Sequence, residues 1–341
     1  MGYARRVPTN VLISIDTELR AGPYLAGAGW QENFRLSFDP AGLGVPYQLK
    51  MLRRHGLKAC FFVDPMPARL YGLEPVRRMV ETILEGGQEV QLHFHSFWAD
   101  AARGTEPRFN LTQFSAEEQH EMISEAADLL VRAGAPRPVA FRAGSFAANA
   151  DTMAALQRLG IAYDSSHNGA AHPWPSALPL DPELIDPANI CGVTEIPVTH
   201  IRSGGGELRP LQVCALSADE MQAALRHAST NDHPIATIVC HSFELASRDG
   251  RRANGLVRGR FDRLCAFLEE NRETMPTVAF PELAGIAAAK RSLPLPPDWP
   301  RTAARVVQQA WGTARYDRPL AAAAAAAPPL ALIAYAASAE L

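Results

Sequence analysis

Short apolar runs alternate with amphipathic segments along most of the chain. VLISI (11–15) is apolar and β-branched and ends on the polar cluster Asp16-Thr17-Glu18. Residues 19–42, rich in Gly and Ala, predict an irregular insertion. PYQLKMLRRHG (46–56) places apolar residues at helical spacing and stops at Gly56, KACFFVDP (58–65) predicts a second strand closed by a proline, and PVRRMVETILEGG (75–87) predicts a helix with a double-glycine stop. EVQLHFH (89–95) follows as a third strand. Ser115, with Glu118 at the capping-box position, predicts a helix through about Gly134, and VAFRAGSF (139–146) the next strand. A helix over 149–159 leads into strand IAYDSS (161–166), then a long loop over 167–192 and strand TEIPVTHI (194–201). A capped helix over 217–229, the apolar strand IATIVCHSF (235–243), a helix over 256–272, strand TVAF (277–280) and helix PELAGIAAAK (281–290) complete the pattern.

Strands and helices alternate about seven times, and the strands are apolar with few interruptions, as in parallel sheets covered on both faces. The expected class is α/β, an irregular (β/α)7-type barrel forming a single domain over 8–293. A doubly wound open sheet would show the same alternation. The barrel is favoured because Asp16, Glu18, His93, His95, Arg142, Asp164 and His241 all fall at C-terminal ends of different strands, where such barrels build their sites. Residues 294–341 form a Pro/Ala-rich extension, expected to be flexible apart from a short helix at 301–315. Its last 22 residues are apolar, but Pro328 and Pro329 interrupt them and alanine dominates, which disfavours a membrane span.

An apolar fraction of 47% in 341 residues is ample for a packed core. The net charge of -3 comes from well-mixed charges without a basic block, so no nucleic-acid partner is expected. Cys60, Cys191, Cys214, Cys240 and Cys265 are scattered without a CxxC pair, which argues against a disulfide framework and a thiolate metal site and for reduced core residues. The first apolar run reaches Asp16 and Glu18 after five residues and offers no small-residue cleavage site. It reads as the first strand of a cytoplasmic protein.

His93 and His95 are two residues apart in a strand and can present their imidazoles on one face, a metal-ligand geometry. Taken alone, either could equally be a buried histidine bonded to neighbouring carbonyls. Asp16 and Glu18 form a D-x-E pair on the same side of the first strand, whose bland reading is a turn with a capping acid. Together the two pairs change the arithmetic: one carboxylate and two imidazoles make a three-ligand open site for zinc or a similar divalent ion, leaving the second carboxylate free as a base. Arg142 could orient a carboxylate or form a salt bridge at the rim. His241 could protonate a leaving group, and Asp164 could hold its imidazole in one tautomer or cap a loop. His55, His120, His167, His172 and His227 read as surface or structural.

The ordered set SIDTE, GGQEVQLHFH, FRAGSF, YDSS and IVCHSFE resembles the motifs of the polysaccharide deacetylase family, the NodB-homology domain of carbohydrate esterase family 4, over roughly residues 9–290. The resemblance implies a NodB-like barrel and a hydrolase acting on C–N bonds other than peptide bonds, with Asp16 as base, Glu18, His93 and His95 on a divalent metal ion (zinc, with cobalt or nickel as alternatives), and His241 as acid. It implies an N-acetylated sugar or oligosaccharide as substrate, in polysaccharide metabolism. Two departures stand out. The second motif usually spaces its histidines H-x-x-x-H, whereas here aligning on His93 puts Phe97 at the second place, so either His95 takes over as ligand or the site is a two-ligand remnant. Gly144 stands where the arginine motif usually has proline, with Phe146 near the expected aromatic. Phe97 and Trp98 could wall a sugar face or pack in the core. The alternatives are hydrolysis of a non-sugar amide or cyclic ureide on the same barrel, and a non-catalytic carbohydrate-binding domain.

Overall fold

The computed structural model describes residues 7–288 and 290–317. Its strands are β1 (Asn10–Thr17), β2 (Cys60–Val63), β3 (Glu89–Phe94), β4 (Ala140–Ala143), β5 (Tyr163–Asp164), β6 (Ala188–Ile190), β7 (Val193–Glu195), β8 (His200–Arg202), β9 (Leu208–Pro210) and β10 (Ile235–His241). Eight of them form one curled sheet in the order β10-β1-β2-β3-β4-β5-β7-β6, all parallel except the hairpin strand β6, while β8 and β9 pair separately. Seven parallel strands, most joined by helical crossovers, are thus present, but among the described residues no ladder closes the sheet. The backbone between β7 and β10 spans the gap instead: Thr199 N–H donates to Thr237 O, Val239 N–H to Leu211 O and Val213 N–H to Val239 O.

The connecting helices form where local chemistry dictates. Ser115 and Glu118 cap the helix Ala116–Arg132, Ser217 and Glu220 cap Ala218–Thr230, and Gly56 ends Val45–His55 in the left-handed region at φ 62°. Their apolar faces pack on the outside of the curl and make the main core.

The inside of the curl is layered. Alternate residues of each strand point inward, so β1 presents Leu12, Ser14 and Asp16 in ascending order, and β2 with the residue after it presents Cys60, Phe62 and Asp64. The lower layer is apolar: Leu12, Cys60, Phe62, Ala140, Ile196 and Ile235 pack with Phe280, whose ring meets Phe62 at 5.6 Å and Tyr163 at 5.5 Å. The upper layer is polar and buried, and it lies at the strands' C-terminal ends.

Several sequence expectations are corrected. TVAF is no strand: Pro276 and Pro281 bracket it, its backbone makes a single bridge to the start of β1, Ala279 and Phe280 N–H donate to the carboxylates of Glu282 and Glu89 instead, and Phe280 plugs the base of the curl. The expected helix over 281–290 reduces to a single 3-10 turn at Phe280–Leu283. TEIPVTHI splits at Pro197 into β7 and β8. The expected irregular insertion holds two short helices, Ala21–Leu25 and Trp30–Ser37. Phe97 and Trp98 start an unforeseen helix, Phe97–Arg103, and both are buried against Tyr24 rather than walling a site. Cys191 is exposed and Cys214 half-buried, so only Cys60, Cys240 and Cys265 are core residues. Within the extension, helix Trp299–Gly312 is docked on the domain through the buried Arg305. The apolar stretch from 320 onward lies outside the described residues.

Candidate metal and acid-base site

Strand register assembles the upper layer. Asp16 is paired with His241 across β1 and β10, and His93 with Arg142 across β3 and β4; partners in parallel strands share a face. Glu18 and His95 follow just past the ends of β1 and β3. One ligand atom from each of Glu18, His93 and His95 lies within 4.8 Å of the others. Glu18 Oε2 stands 3.1 Å from His93 Nε2 and in contact with His95 Nε2.

The donor set suits a divalent ion. His93 Nδ1 lies 2.8 Å from the carbonyl oxygen of Arg142, and because a carbonyl can only accept, Nδ1 donates there and Nε2 is the nitrogen turned to Glu18, the one that would bind a cation. His95 sits at the rim. Burial lowers its pKa, but Glu18, Asp64 and Asp16 together push it up to about 9. Burial likewise works against the Glu18 carboxylate, yet the two imidazoles hold it well below its ordinary range. A cluster in which imidazolium and carboxylate already neutralise one another is one where a cation can replace the proton. A further carboxylate supports this. Asp64 is fully buried, its Oδ1 accepts from Met66 N–H at 2.9 Å, and its Oδ2 has no hydrogen-bond partner among the described residues. Burial raises its pKa to about 6, opposed by the charges of His95 and His93.

Gly144 accounts for His95. A Cβ at position 144 would come within 2.4 Å of Nδ1 and Cε1 of the His95 ring, so any side chain there would expel the imidazole. The H-x-H spacing and the glycine in FRAGSF are therefore one arrangement: a histidine two residues after His93 reaches Glu18 across space that a proline ring would fill.

Asp16 and His241 form a second group. Arg142, with no exposure at all, donates to Asp16 Oδ1 at 2.8 Å, to Ser14 Oγ at 2.9 Å, and to the carbonyl and hydroxyl oxygens of Ser165 at 2.9 and 3.0 Å. Burial alone would raise the Asp16 pKa; Arg142, His93 and His241 outweigh it and hold the carboxyl below its ordinary range. Its Oδ2 faces His241 Nε2 at 3.8 Å. The other imidazole nitrogen, Nδ1, is 2.6 Å from Glu244 Oε1, which also accepts from Gln212 Nε2 at 2.6 Å. Burial would depress His241, but Glu244 and then Asp16 push it up to about 9, so it carries a proton at neutral pH.

Of the two roles the sequence left open for Asp164, the loop cap is the one seen, and Asp164 does not hold His241. Its carboxylate accepts from Ser166 Oγ at 2.7 Å and pairs in register with Glu195 on β7. Burial raises both acids, Glu195 well above its ordinary range because Asp164 lies beside it. Glu244, three residues past His241 in HSFE, takes the orienting place. Its signal was present as an acid in the turn after the strand, and Asp64 carried the same signal in VDP. Asp100, on the helix that follows His95, accepts from Arg108 Nε at 2.9 Å and does not join the donor set.

Comparison with known proteins bears on this arrangement. The family model for polysaccharide deacetylase matches residues 33–163, a span that includes His93, His95 and Arg142. A peptidoglycan deacetylase-like protein, FGM2, from Gibberella zeae is 28% identical over 187 residues, covering 52% of this chain and 49% of that protein, so the match spans about half the length of that relative. A Mycobacterium smegmatis structure described as a polysaccharide deacetylase superposes with a TM-score of 0.51 at 18% identity, over 86% of this chain and 97% of that one, and so shares the fold. A family 4 carbohydrate esterase from Streptomyces lividans, solved with acetate, aligns at 12% identity over 84% of this chain and 99% of that one, with a TM-score of 0.42.

Proposed function

We propose that the chain is a member of the polysaccharide deacetylase family, whose model matches residues 33–163, and a metal-dependent amide hydrolase that removes acetyl groups from an N-acetylated sugar. One observation carries the reading: the Glu18, His93 and His95 donors meet beside a carboxylate and an imidazole that face each other at 3.8 Å. A divalent cation held by those three residues, zinc on the donor chemistry with cobalt or nickel as alternatives, supplies Lewis acidity toward an acyl carbonyl and a water.

The protein's own groups divide the proton work. Arg142 occupies Oδ1 of Asp16, fixing the carboxylate and keeping it ionised while Oδ2 stays available to take a proton from the attacking water. Glu244 anchors Nδ1 of His241, which sets the ring plane and leaves protonated Nε2 to hand its proton to the departing amine. Arg142 is the positioning residue for Asp16, and Glu244 is that for His241.

The test uses the full chain loaded with zinc and offered N-acetylglucosamine oligomers and, in parallel, cyclic amides. Acetate release from the oligomers, with no ring opening of the amides, is expected; the opposite product pattern would assign the protein to the non-sugar reaction. His93→Ala is expected to lose both metal, by elemental analysis, and acetate release. A wild-type protein that takes up no divalent ion would remove both enzyme readings.

A further inference from the structure

Helix Trp299–Gly312 turns its amphipathicity inside out. A helix on a protein surface ordinarily buries its apolar stripe and shows its polar one to water. Here the docked stripe is polar. Thr302 Oγ1 accepts from Gly204 N–H at 3.0 Å, Arg305 is 1% exposed and donates to Glu220 Oε1 and Ser203 Oγ at 3.0 Å, Gln308 accepts from Arg260 Nη2 at 3.3 Å, and Gln309 Nε2 donates to the carbonyl of Ala215 at 3.0 Å. The outward stripe is apolar: Trp299 (68% exposed), Ala303, Val306 (52%), Val307 (69%), Ala310 and Trp311 (53%). These positions recur at helical spacing along one side, so they form a continuous strip rather than scattered apolar residues.

We propose that this strip is a docking surface for a phospholipid bilayer, on which the helix lies in the plane of the interface. Three observations choose the lipid over other occupants. The strip carries tryptophan near both ends, and Tyr316 packs its ring against Trp311 at 5.7 Å, which is the aromatic chemistry of the headgroup boundary. The flanking charges are weakly cationic: Arg315 is exposed one turn beyond Trp311, and Asp317 and Arg318 follow it in the sequence to leave a net charge of +1. Arg301 at the start of the helix is paired with Asp298, and the buried Arg305 is neutralised by Glu220. The sequence that continues from the helix carries no Asp, Glu, Lys or Arg between Pro319 and Ala339, so the apolar character of the strip extends along the chain. Among the described residues no helix is long and apolar enough to cross a membrane, and surface attachment does not require one. The inference rests on this helix and the sequence that follows it and is independent of the chemistry at the strand ends.

Flotation of the full chain with vesicles of phosphatidylcholine, with and without phosphatidylglycerol, tests it. The wild-type protein is expected to float, more strongly with the anionic lipid. The double variant Val306→Asp with Val307→Asp is expected to partition about ten-fold less, because two charges would enter the apolar boundary. Trp311→Ser, a milder exposed change, gives the same direction should the double variant fold poorly, and brominated lipid should quench wild-type fluorescence more than that of the Trp311→Ser protein. Wild-type protein that stays out of the vesicle fraction, or a double variant that floats as well as wild type, would overturn the proposal. A lipid-free dimer abolished by the same substitutions would assign the strip to a second copy of the chain. Shielding of Trp299 and Trp311 from acrylamide in lipid-free monomer would assign it to the chain itself.

Discussion

Arg142 and Arg305 are both buried and each grips a carboxylate, and they differ in what they leave undone. Arg305 holds Glu220 Oε1 at 3.0 Å beneath the C-terminal helix, and Glu220 Oε2 is taken by the backbone N–H of Ser217 at 2.9 Å. Both carboxylate oxygens are satisfied, and the pair pins a helix. Arg142 holds Asp16 Oδ1 at 2.8 Å, but Oδ2 is turned to an imidazole 3.8 Å away, beyond hydrogen-bond reach. The same chemical pair is thus closed in one place and open in the other. A saturated buried ion pair stabilises a single conformation, whereas an unsaturated one keeps a charged oxygen at the mouth of the curl, ready for a proton.

Breaking the open pair has the largest expected effect. Asp16→Asn keeps the shape but removes the proton acceptor, and kcat for acetate release should fall by about 10³-fold, within the range for a general base. Elemental analysis should show the metal retained, since Glu18, His93 and His95 are untouched. Full activity in this variant would refute the role of Asp16.

The closed pair breaks differently. Arg305→Ala strands the buried Glu220 carboxylate and should cost about 3 kcal/mol in denaturant unfolding while leaving the kcat of the folded protein unchanged. A fall in kcat comparable to that of Asp16→Asn would show that the two arginines are not separate in function.

Gly144→Ala sharpens the contrast from the metal side. The added methyl displaces His95 but spares His93, Asp16 and His241, so metal affinity measured by chelator competition should fall about ten-fold or more. Unchanged affinity would mean that His95 is not a ligand.

The smallest effect concerns pH. His241 must hold its proton to act as acid, so activity should decline as pH rises through about 9. Glu244 raises that pKa, and Glu244→Gln should therefore move the alkaline limb of kcat to lower pH, with a modest loss near neutrality. A limb that stays in place would separate Glu244 from the acid.

How far the chain could be read in advance follows from the same contrast. The alternation of apolar runs and capped helices announced the parallel α/β architecture, because burial on both faces of a sheet leaves a direct imprint on sequence. Asp16, Glu18, His93, His95, Arg142 and His241 were legible as a set, since each follows an apolar strand and strand ends share one side of the curl. Asp164 met the same criterion, but whether it would hold His241 or cap a loop stayed open until the fold placed it beside Ser166. Glu244 and Asp64 were passed over because an acid in a turn looks like any other acid in a turn.

The sequence by itself determined periodicity, caps and which residues would stand at the strand ends, since these depend on neighbours one to four positions away. Only the tertiary structure decided that Glu244 rather than Asp164 holds His241, that Gly144 makes room for His95, and that the C-terminal helix turns its valines and tryptophans outward. Each of those depends on the register and spacing of segments far apart in the chain, and a contact of a few ångströms between such segments leaves no periodic trace in either one.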